Sequence, residues 1–328
     1  MKVALAMAPH LPPLLFGPAE RAALDADFGT VLTEFGSPQA KAVLAGAEVL
    51  ITGWECPPID ATVLADAPRL RAIVHAAGSV KAHVGPEVFA RGIAVSSAAW
   101  ANALPVAEYT VAMILLAGKD AFAIARRYRE TRTRIDLVTG YPGIGNYGRT
   151  IGIIGASLVG RAVLRLLAPF DLDLLVYDPY LSTTDAEELG AERVELDELC
   201  RRSSILSIHA PALPETREMV DSARLALLPD GATLINTARG SLVDQDALEN
   251  ELRTGRISAV LDVTEPEVLP SGSALWDLPN LVITPHLAGS AGTELRRIGG
   301  SAVAETLRIA AGQPLRHEVR AAALAALA

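Results

Sequence analysis

Short apolar segments alternate with longer amphipathic segments along most of the chain. Within the first hundred residues, apolar segments of strand length are KVALAMA, VLITG, LRAIVHA and IAVSSA, and helix-length stretches such as PAERAALDADF and PEVFARG separate them. A second series of the same kind begins at Thr150 and runs to about His286. Buried parallel strands are continuous apolar runs joined by crossover helices. The pattern therefore predicts an α/β protein with two domains, each a parallel sheet flanked by helices.

The segments outside these two series predict how the domains are connected. A helical pattern runs from Pro105 to Glu130, with the proline suited to a first helical turn, and a polar, glycine-rich arm follows at 132–149. The end of the chain contains a further helical pattern, GTELRRIGGSAVAETLRIAAG, which we expect to return to the first unit. We therefore predict one domain from residues 1–99 with 290–328, and a second from residues 100–289.

Composition and charge narrow the class of protein. The 328 residues carry a net charge of −9 and no basic run, which argues against a nucleic-acid partner. The two cysteines, Cys56 and Cys200, form no ligand pattern, so we expect no disulfide, no metal site and a reducing cytoplasm. Prolines interrupt the first apolar run before a signal peptide forms, and Val111–Gly118 is too short to span a bilayer, so no membrane segment is expected.

Four groups of chemical interest follow successive predicted strands. Gly155 ends IGIIG, Arg239 follows LINTA, Asp262 follows AVL, and His286 follows LVITP. The carboxyl ends of parallel strands lie on one edge of a sheet, where open α/β folds bind their ligands. These groups are therefore predicted to share one crevice. A guanidinium, a carboxylate and an imidazole beside a dinucleotide turn are what a nicotinamide enzyme needs to oxidise a hydroxy acid or reduce a keto acid.

The segment from Thr150 to Tyr180 has the length and order of a mononucleotide-binding unit. Gly155 is placed to make the tight turn and Gly160 to let helix and strand pack closely, with the helix N-terminus facing a pyrophosphate. Ser157 stands where glycine is usual, and its hydroxyl offers a donor to phosphate. Asp178 ends the next strand, where a carboxylate accepts from ribose hydroxyls. DPYLS contains no basic residue for a 2′-phosphate, so NAD is the expected cofactor.

The residue types also predict roles in the reaction. The planar fork of Arg239 matches a substrate carboxylate and polarises the adjacent carbonyl. His286 is favoured as the proton donor to the alkoxide that hydride addition leaves, and His209, which also follows an apolar strand, is the alternative. A catalytic histidine needs an orienting carboxylate, and spacing alone does not choose between Glu265 and Glu267.

Several ordered motifs resemble those of the D-isomer-specific 2-hydroxyacid dehydrogenase family. They are PVAEYT, the glycine turn, HAPALPETREMV, LINTARGSLVDQDAL, LDV and TPHLAGS. The resemblance as a whole covers nearly the entire chain. The resemblance implies an NAD-dependent oxidoreductase that interconverts a small D-2-hydroxy acid and its 2-keto acid. It also implies a Rossmann-type NAD-binding domain, a flavodoxin-like substrate domain and a homodimer. Because the chain stops at Ala328, we expect no appended regulatory domain.

The family's functional residues transfer to this chain by motif. Arg239 is expected to bind substrate and His286 to act as acid/base, and the acid five positions after the LDV aspartate selects Glu267 over Glu265. Asp262 is expected to hold the nicotinamide carboxamide. The resemblance assigns cofactor contacts to Gly155, Ser157, Leu158, Val159, Gly160, Asp178, His209, Pro211, Thr237, Ala238 and Asp262.

The substrate loop is the weakest part of the resemblance. AAGSV corresponds to the family loop whose backbone N–H groups hold the substrate carboxylate, which implies that Ala77, Gly78 and Ser79 bind substrate with Arg239 and His286. The chain continues GSVKAHV where relatives often have GVDNVD, and Val268 replaces a frequent proline. Substrate selection is therefore expected to differ from that of better-known relatives.

Two alternative functions share the cofactor half. One is an NAD(H)-binding, corepressor-like regulator, and the other is a formate- or phosphite-type dehydrogenase. The complete set of Arg239, Glu267 and His286, without a long interaction tail, favours catalysis on a 2-hydroxy acid over a regulator. The geometry of the substrate loop would distinguish a formate- or phosphite-type dehydrogenase from a 2-hydroxyacid dehydrogenase.

Overall fold

The computed structural model describes residues 1–24 and 26–326, and its chain forms two compact units. Unit 1 comprises Met1–Ala103 and Ser290–Ala328, and unit 2 comprises Leu104–Gly289. The sequence places the first boundary at 99/100 and the second at 289/290. The predicted boundary at 99/100 and the observed boundary at 103/104 both lie near the start of one long helix, whose first residues belong to unit 1 and the rest to unit 2.

Unit 1 is a five-stranded parallel sheet. Its strands are β1 (Val3–Ala6), β2 (Ala26–Leu32), β3 (Val49–Thr52), β4 (Ala72–His75) and β5 (Ala94–Ser97). Their order, β2-β1-β3-β4-β5, is that of flavodoxin-like folds, as predicted. The helices before the long helix are α1 (Pro12–Leu15), α2 (Pro18–Ala23), α3 (Pro38–Gly46), α4 (Ala61–Asp66) and α5 (Pro86–Ala90). Two apolar clusters on the two sides of this sheet bury its strands.

The apolar pattern of the sequence does not predict strand β2. PAERAALDADF was predicted as one helix-length stretch, but α2 ends at Ala23 and β2 begins at Ala26. This strand lies at the edge of the sheet and includes Asp27, Gly29 and Thr30, with most of its side chains only partly buried. An edge strand exposed on one side lacks the continuous apolar run that marks the central strands.

The predicted long helix differs from the observed one at its start and in its middle. Helix α6 spans Ala99–Gly118, and helix α7 spans Ala121–Thr131. The first turn is complete before Pro105, because the Ala98 carbonyl already accepts the N–H groups of Ala101 and Asn102. A proline inside a helix removes one backbone donor but does not prevent the helix from continuing. The two helices separate at Asp120, which has a left-handed φ of 49°.

Within the described residues, α6 is the one helix long and apolar enough to cross a membrane by length and composition alone, with 44% of its apolar window buried inside the protein. The sequence-based expectation considers only the apolar run Val111–Gly118, whereas the observed helix also includes the apolar turns that begin at Ala99. Ala101 packs in a core cluster of unit 1, and Ala107 and Ile114 pack in one of unit 2. These contacts explain the apolar character of the helix as that of a core helix.

Unit 2 is a seven-stranded parallel sheet of Rossmann type. Its strands are β6 (Arg149–Ile154), β7 (Leu172–Tyr177), β8 (Glu192–Arg193), β9 (Ile205–Ile208), β10 (Thr233–Asn236), β11 (Ser258–Leu261) and β12 (Leu281–Ile283). The order β12-β11-β10-β9-β6-β7-β8 reverses direction between β6 and β9, which is the switch point where such sheets bind ligands. Its remaining helices are α8 (Leu158–Leu167), α9 (Thr183–Glu188), α10 (Leu196–Arg202), α11 (Ser222–Leu227) and α12 (Gln245–Thr254).

The last long helix, α13 (Leu295–Ala310), belongs to unit 1. It packs against α1, α2 and β4. Its Gly299 lies against the backbone of Leu15, where an added Cβ would come within 1.9 Å of the Leu15 carbonyl oxygen. Short 3-10 helices occupy Pro214–Thr216, Gly240–Leu242, Ala274–Asp277, Gly292–Glu294 and Ala321–Ala326.

Candidate active site

Strand register brings the predicted groups of unit 2 to one edge of its sheet. Ile154 pairs with Ile208, Ile208 with Asn236, Asn236 with Leu261, and Leu261 with Ile283. The residues that follow these strands therefore emerge side by side. We call this row the carboxyl edge, and its members are Gly155, Asp178, His209, Thr237, Asp262 and Thr284.

The turn after β6 requires two glycines. Gly155 has a left-handed φ of 92°, and a Cβ there would approach the Ala210 backbone nitrogen to 2.7 Å. A Cβ on Gly160 would come within 1.9 Å of the Gly155 carbonyl oxygen, so helix α8 packs on the turn only because this side chain is absent. These are the roles predicted for the first and third positions of a dinucleotide-binding turn.

Ser157, the departure from the usual glycine, caps helix α8. Its hydroxyl oxygen accepts from the Gly160 N–H at 3.3 Å. An N-cap serine satisfies one of the free N–H groups of the first turn, and its own O–H remains available as a donor. Leu158 is 58% exposed, so the first turn of α8 is open to an anion at its positive end.

Asp178 closes this turn from the neighbouring strand. One carboxylate oxygen accepts from the Ala156 N–H and the other from the Tyr180 N–H, both at 2.8 Å. Each oxygen keeps a lone pair that a ribose hydroxyl can use. The glycine cradle, the open helix N-terminus and this half-buried carboxylate together fit a dinucleotide without a 2′-phosphate.

His209 is a core residue at the carboxyl edge. Its Nε2 lies 2.9 Å from the Ser207 hydroxyl, and burial lowers the pKa of His209 to about 3. A histidine that stays neutral near pH 7 is a poor proton donor. His209 and the partly buried Pro211 lie beside the Gly155 turn, where the resemblance places the adenosine.

The turn that carries Arg239 is fixed by Asn236. The Asn236 side chain donates to the Arg239 carbonyl at 2.8 Å and accepts from the Ala238 N–H at 3.0 Å. Gly240 follows, where an added Cβ would lie 2.2 Å from the Thr264 backbone. The Arg239 guanidinium donates to the Ala238 carbonyl at 2.6 Å and is partly exposed. Its remaining donors are available to a carboxylate.

Thr237, also on this turn, is buried. Its hydroxyl lies 3.0 Å from that of Thr110 on α6. This hydrogen bond holds the end of β10 against the helix, so Thr237 and Ala238 present a fixed backbone at the carboxyl edge. The resemblance assigns these two positions to the nicotinamide side.

His286 and Glu267 form the acid/base arrangement. Glu267 Oε1 lies 2.5 Å from His286 Nδ1, and the two side chains are about half exposed, at 58% and 47%. Glu265, the other candidate, lies 3.2 Å from the Arg217 guanidinium. The geometry therefore brings Glu267 to the imidazole and engages Glu265 elsewhere. With Nδ1 occupied by Glu267, the Nε2 of His286 is the nitrogen left to exchange a proton with substrate.

Asp262 organises the loop that carries His286. Its buried carboxylate accepts from the Leu287 N–H at 2.7 Å and the Ala288 N–H at 3.0 Å, while its backbone carbonyl accepts from the His286 N–H at 2.9 Å. The same carboxylate accepts from the Thr284 hydroxyl at 2.5 Å. His286 itself has a left-handed φ of 53°, which a non-glycine residue adopts only when its neighbours fix it.

The predicted substrate loop lies in unit 1 at the carboxyl end of β4. Gly78 and Ser79 are partly exposed, and Ala77 is buried, with its carbonyl accepting from the Ala98 N–H at 3.1 Å. Below the loop, His75 is buried with Nδ1 2.8 Å from the Thr52 hydroxyl. Burial lowers the pKa of His75 to about 3. The substrate loop therefore follows a buried histidine, His75, that is neutral near pH 7 and held by Thr52.

The fold and the carboxyl edge define a two-unit α/β protein with a dinucleotide-binding sheet, and comparison with known proteins gives its family. The NAD binding domain of the D-isomer specific 2-hydroxyacid dehydrogenases matches residues 111–288. The D-3-phosphoglycerate dehydrogenase of Mycobacterium leprae is 34% identical over 255 residues, 77% of this chain and 47% of that protein. The glyoxylate reductase of Korarchaeum cryptofilum is 35% identical over 255 residues, 76% of each chain.

A solved structure extends the likeness to both units. A phosphoglycerate oxidoreductase from Rhizobium etli superimposes with a TM-score of 0.81 at 25% identity, covering 98% of both chains. The chain belongs to the D-isomer specific 2-hydroxyacid dehydrogenase family, and unit 2 is its NAD-binding domain. It spans about half the length of the phosphoglycerate dehydrogenase it matches in Mycobacterium leprae.

Proposed function

We propose that the protein is an NAD-dependent oxidoreductase that interconverts a small D-2-hydroxy acid and its 2-keto acid. The observation that carries the proposal is the His286–Glu267 pair, 2.5 Å apart, whose residues lie on the loops after β12 and β11 at the same carboxyl edge as the dinucleotide turn. Arg239 emerges from that edge three residues after β10. Family membership supports the reaction class, and the geometry supports the roles of these side chains.

The residues divide the chemistry between them. NAD, when bound, supplies or accepts the hydride. In the direction of reduction, Arg239 binds the substrate carboxylate with its planar fork and polarises the neighbouring C2 carbonyl. His286 donates a proton from Nε2 to the C2 oxygen as negative charge develops there. Glu267 contacts Nδ1 and orients the imidazole so that Nε2 faces the substrate.

The proposal also includes substrate binding by the unit 1 loop, a homodimer and a cytoplasmic location. Gly78 and Ser79, which are partly exposed, are the residues of the unit 1 loop whose backbone N–H groups would bind a carboxylate. A homodimer is supported by the strongly exposed apolar side chains Val138 and Tyr147 of the arm, at 83% and 90%. The two buried, unpaired cysteines, Cys56 and Cys200, agree with a reducing cytoplasm.

The test is a substrate panel. Purified protein is mixed with NADH, and separately with NADPH, and the absorbance of the reduced nicotinamide is followed with glyoxylate, hydroxypyruvate, pyruvate, longer 2-keto acids and 3-phosphohydroxypyruvate. We expect one of these acids to oxidise NADH and the matching D-2-hydroxy acid to reduce NAD. Tight NADH binding with no turnover of any acid would overturn the proposal and return the regulator and the formate or phosphite reactions to consideration.

A further inference from the structure

A chain of hydroxyl groups runs from helix α6 to the catalytic loop. The Tyr109 hydroxyl lies 2.7 Å from the Thr284 hydroxyl, and the Thr284 hydroxyl donates to Asp262 at 2.5 Å. Tyr109 is 175 residues from Thr284 in sequence. The two side chains meet because α6 packs over the carboxyl edge of the unit 2 sheet. Neither residue belongs to the predicted site.

The direction of each hydrogen bond in this chain is fixed by chemistry. An ionised carboxylate only accepts, so the single hydroxyl hydrogen of Thr284 points to Asp262. The Thr284 oxygen then has only lone pairs for its other partner, and Tyr109 must donate. Asp262 also accepts the N–H groups of Leu287 and Ala288, so its carboxylate acts as an acceptor toward these neighbours as well.

The Tyr109 environment agrees with this arrangement. Burial is the main cause that raises the pKa of the Tyr109 phenol, and the charge of Asp262 raises it further. The phenol therefore stays a protonated donor at physiological pH. Hydrogen bonds aligned in one direction polarise one another, so the hydrogen bond from Tyr109 to Thr284 strengthens the one from Thr284 to Asp262.

We propose that Tyr109 is a positioning residue that acts through Thr284 and Asp262 to hold the His286 loop. The step from Asp262 to the loop is direct, because one carboxylate bonds the two residues after His286. Loss of the Tyr109 donor weakens the hydrogen bond from the Thr284 hydroxyl to the Asp262 carboxylate. The strained left-handed backbone of His286 can then relax. The catalytic consequence rests on the proposed function, whereas the consequence for the loop does not.

Hydrogen exchange tests the loop without any substrate. We expect Tyr109→Phe and Thr284→Val to increase amide exchange of Leu287 and Ala288 by about three- to tenfold, the loss that one net hydrogen bond produces. Thr284→Ser, which keeps the hydroxyl, should restore protection. Tyr128→Phe, on an exposed tyrosine of α7, is the matched control and should change nothing. Unchanged exchange in Tyr109→Phe would overturn the proposal, whatever the enzyme's substrate.

Kinetics test whether Tyr109 acts through Thr284. With a substrate from the panel, Tyr109→Phe should lower kcat about three- to tenfold and leave the KM for the keto acid within about twofold, because Asn236 separately fixes the Arg239 turn. In the Thr284→Val background the same change should have no further effect. Additive losses in the double variant, or a loss confined to KM, would overturn it. If wild-type protein turns over no substrate, the proposed function fails and the exchange result still decides this inference.

Discussion

Glu267 Oε1 lies 2.5 Å from His286 Nδ1, while Glu265, two residues earlier, faces Arg217 instead. This difference gives a matched pair of variants. Glu267→Gln replaces the carboxylate that orients the imidazole at Nδ1 and should lower kcat by about 10- to 100-fold, a part of the usual contribution of acid/base catalysis. Glu265→Gln should leave kcat unchanged. Steady-state kinetics with saturating NADH would measure both.

The pair of variants also separates a catalytic role from a structural one. If both substitutions reduce kcat equally, the loop that carries them has been disturbed and Glu267 has no special role. A loss in Glu267→Gln with unchanged NADH binding, measured by fluorescence titration, would place the defect in proton transfer.

Arg239 should fail when it is replaced by lysine. Lysine keeps the charge but lacks the planar fork, so Arg239→Lys should lower kcat/KM by about 10- to 100-fold, the range for charged hydrogen bonds lost in a site. Both kcat and KM should change, because the guanidinium contacts the carboxylate and the reacting carbonyl. Arg217→Lys, at an exposed arginine paired with Glu265, is the control. An active Arg239→Lys enzyme with wild-type kinetics would remove Arg239 from the reaction.

Asp178 should set the preference for NADH over NADPH. Its carboxylate is held by the Ala156 and Tyr180 N–H groups, and its charge repels a 2′-phosphate. Asp178→Asn should weaken NADH binding by about tenfold and narrow the gap between NADH and NADPH. Asp173→Asn, at an exposed position of the same strand, should change neither dissociation constant. Fluorescence titration with both cofactors decides the matter, and an unchanged NADH affinity would contradict the role of Asp178.

The central strands and the dinucleotide turn could be predicted from sequence because their physics is local. A buried parallel strand needs a continuous apolar run, and Gly155 and Gly160 stand where backbone contacts exclude a side chain. Parallel register then brings the residues after these strands to one edge. The edge strand β2 was missed because partial exposure removes the apolar run.

Contacts between segments that are distant in sequence could not be predicted in this way, because they depend on how the loops and helices pack. The choice between Glu265 and Glu267 depends on how the loop after β11 turns, which the spacing of the two residues does not determine. Likewise, nothing in the periodicity of α6 indicates that Tyr109 meets Thr284. The start of α6 was also misplaced, because Pro105 is favoured in a first turn but is tolerated here inside the helix.

Burial of neutral histidines should make the protein sensitive to acid. Burial, helped by the charge of His83, lowers the pKa of His75 to about 3, whereas an unfolded histidine has a pKa of about 6.5. Above pH 6.5 His75 is neutral in both states and does not affect stability. As the pH falls from about 6.5 towards 3, only the unfolded chain takes up the proton, so the free energy of unfolding should fall by up to about 1.4 kcal/mol per pH unit.

The measurement is urea unfolding of unit 1 at several pH values between 4 and 8. Trp54 and Trp100 lie in unit 1 and Trp276 in unit 2, so a Trp276→Phe background makes tryptophan fluorescence report unit 1 alone. His75→Gln should flatten the dependence of stability on pH below about 6.5, although losing the Thr52 contact lowers stability at pH 8. His10→Gln, at an exposed histidine, should keep the wild-type slope. Equal slopes in His75→Gln and the wild-type protein would show that His75 is protonated in the folded state, contrary to its burial.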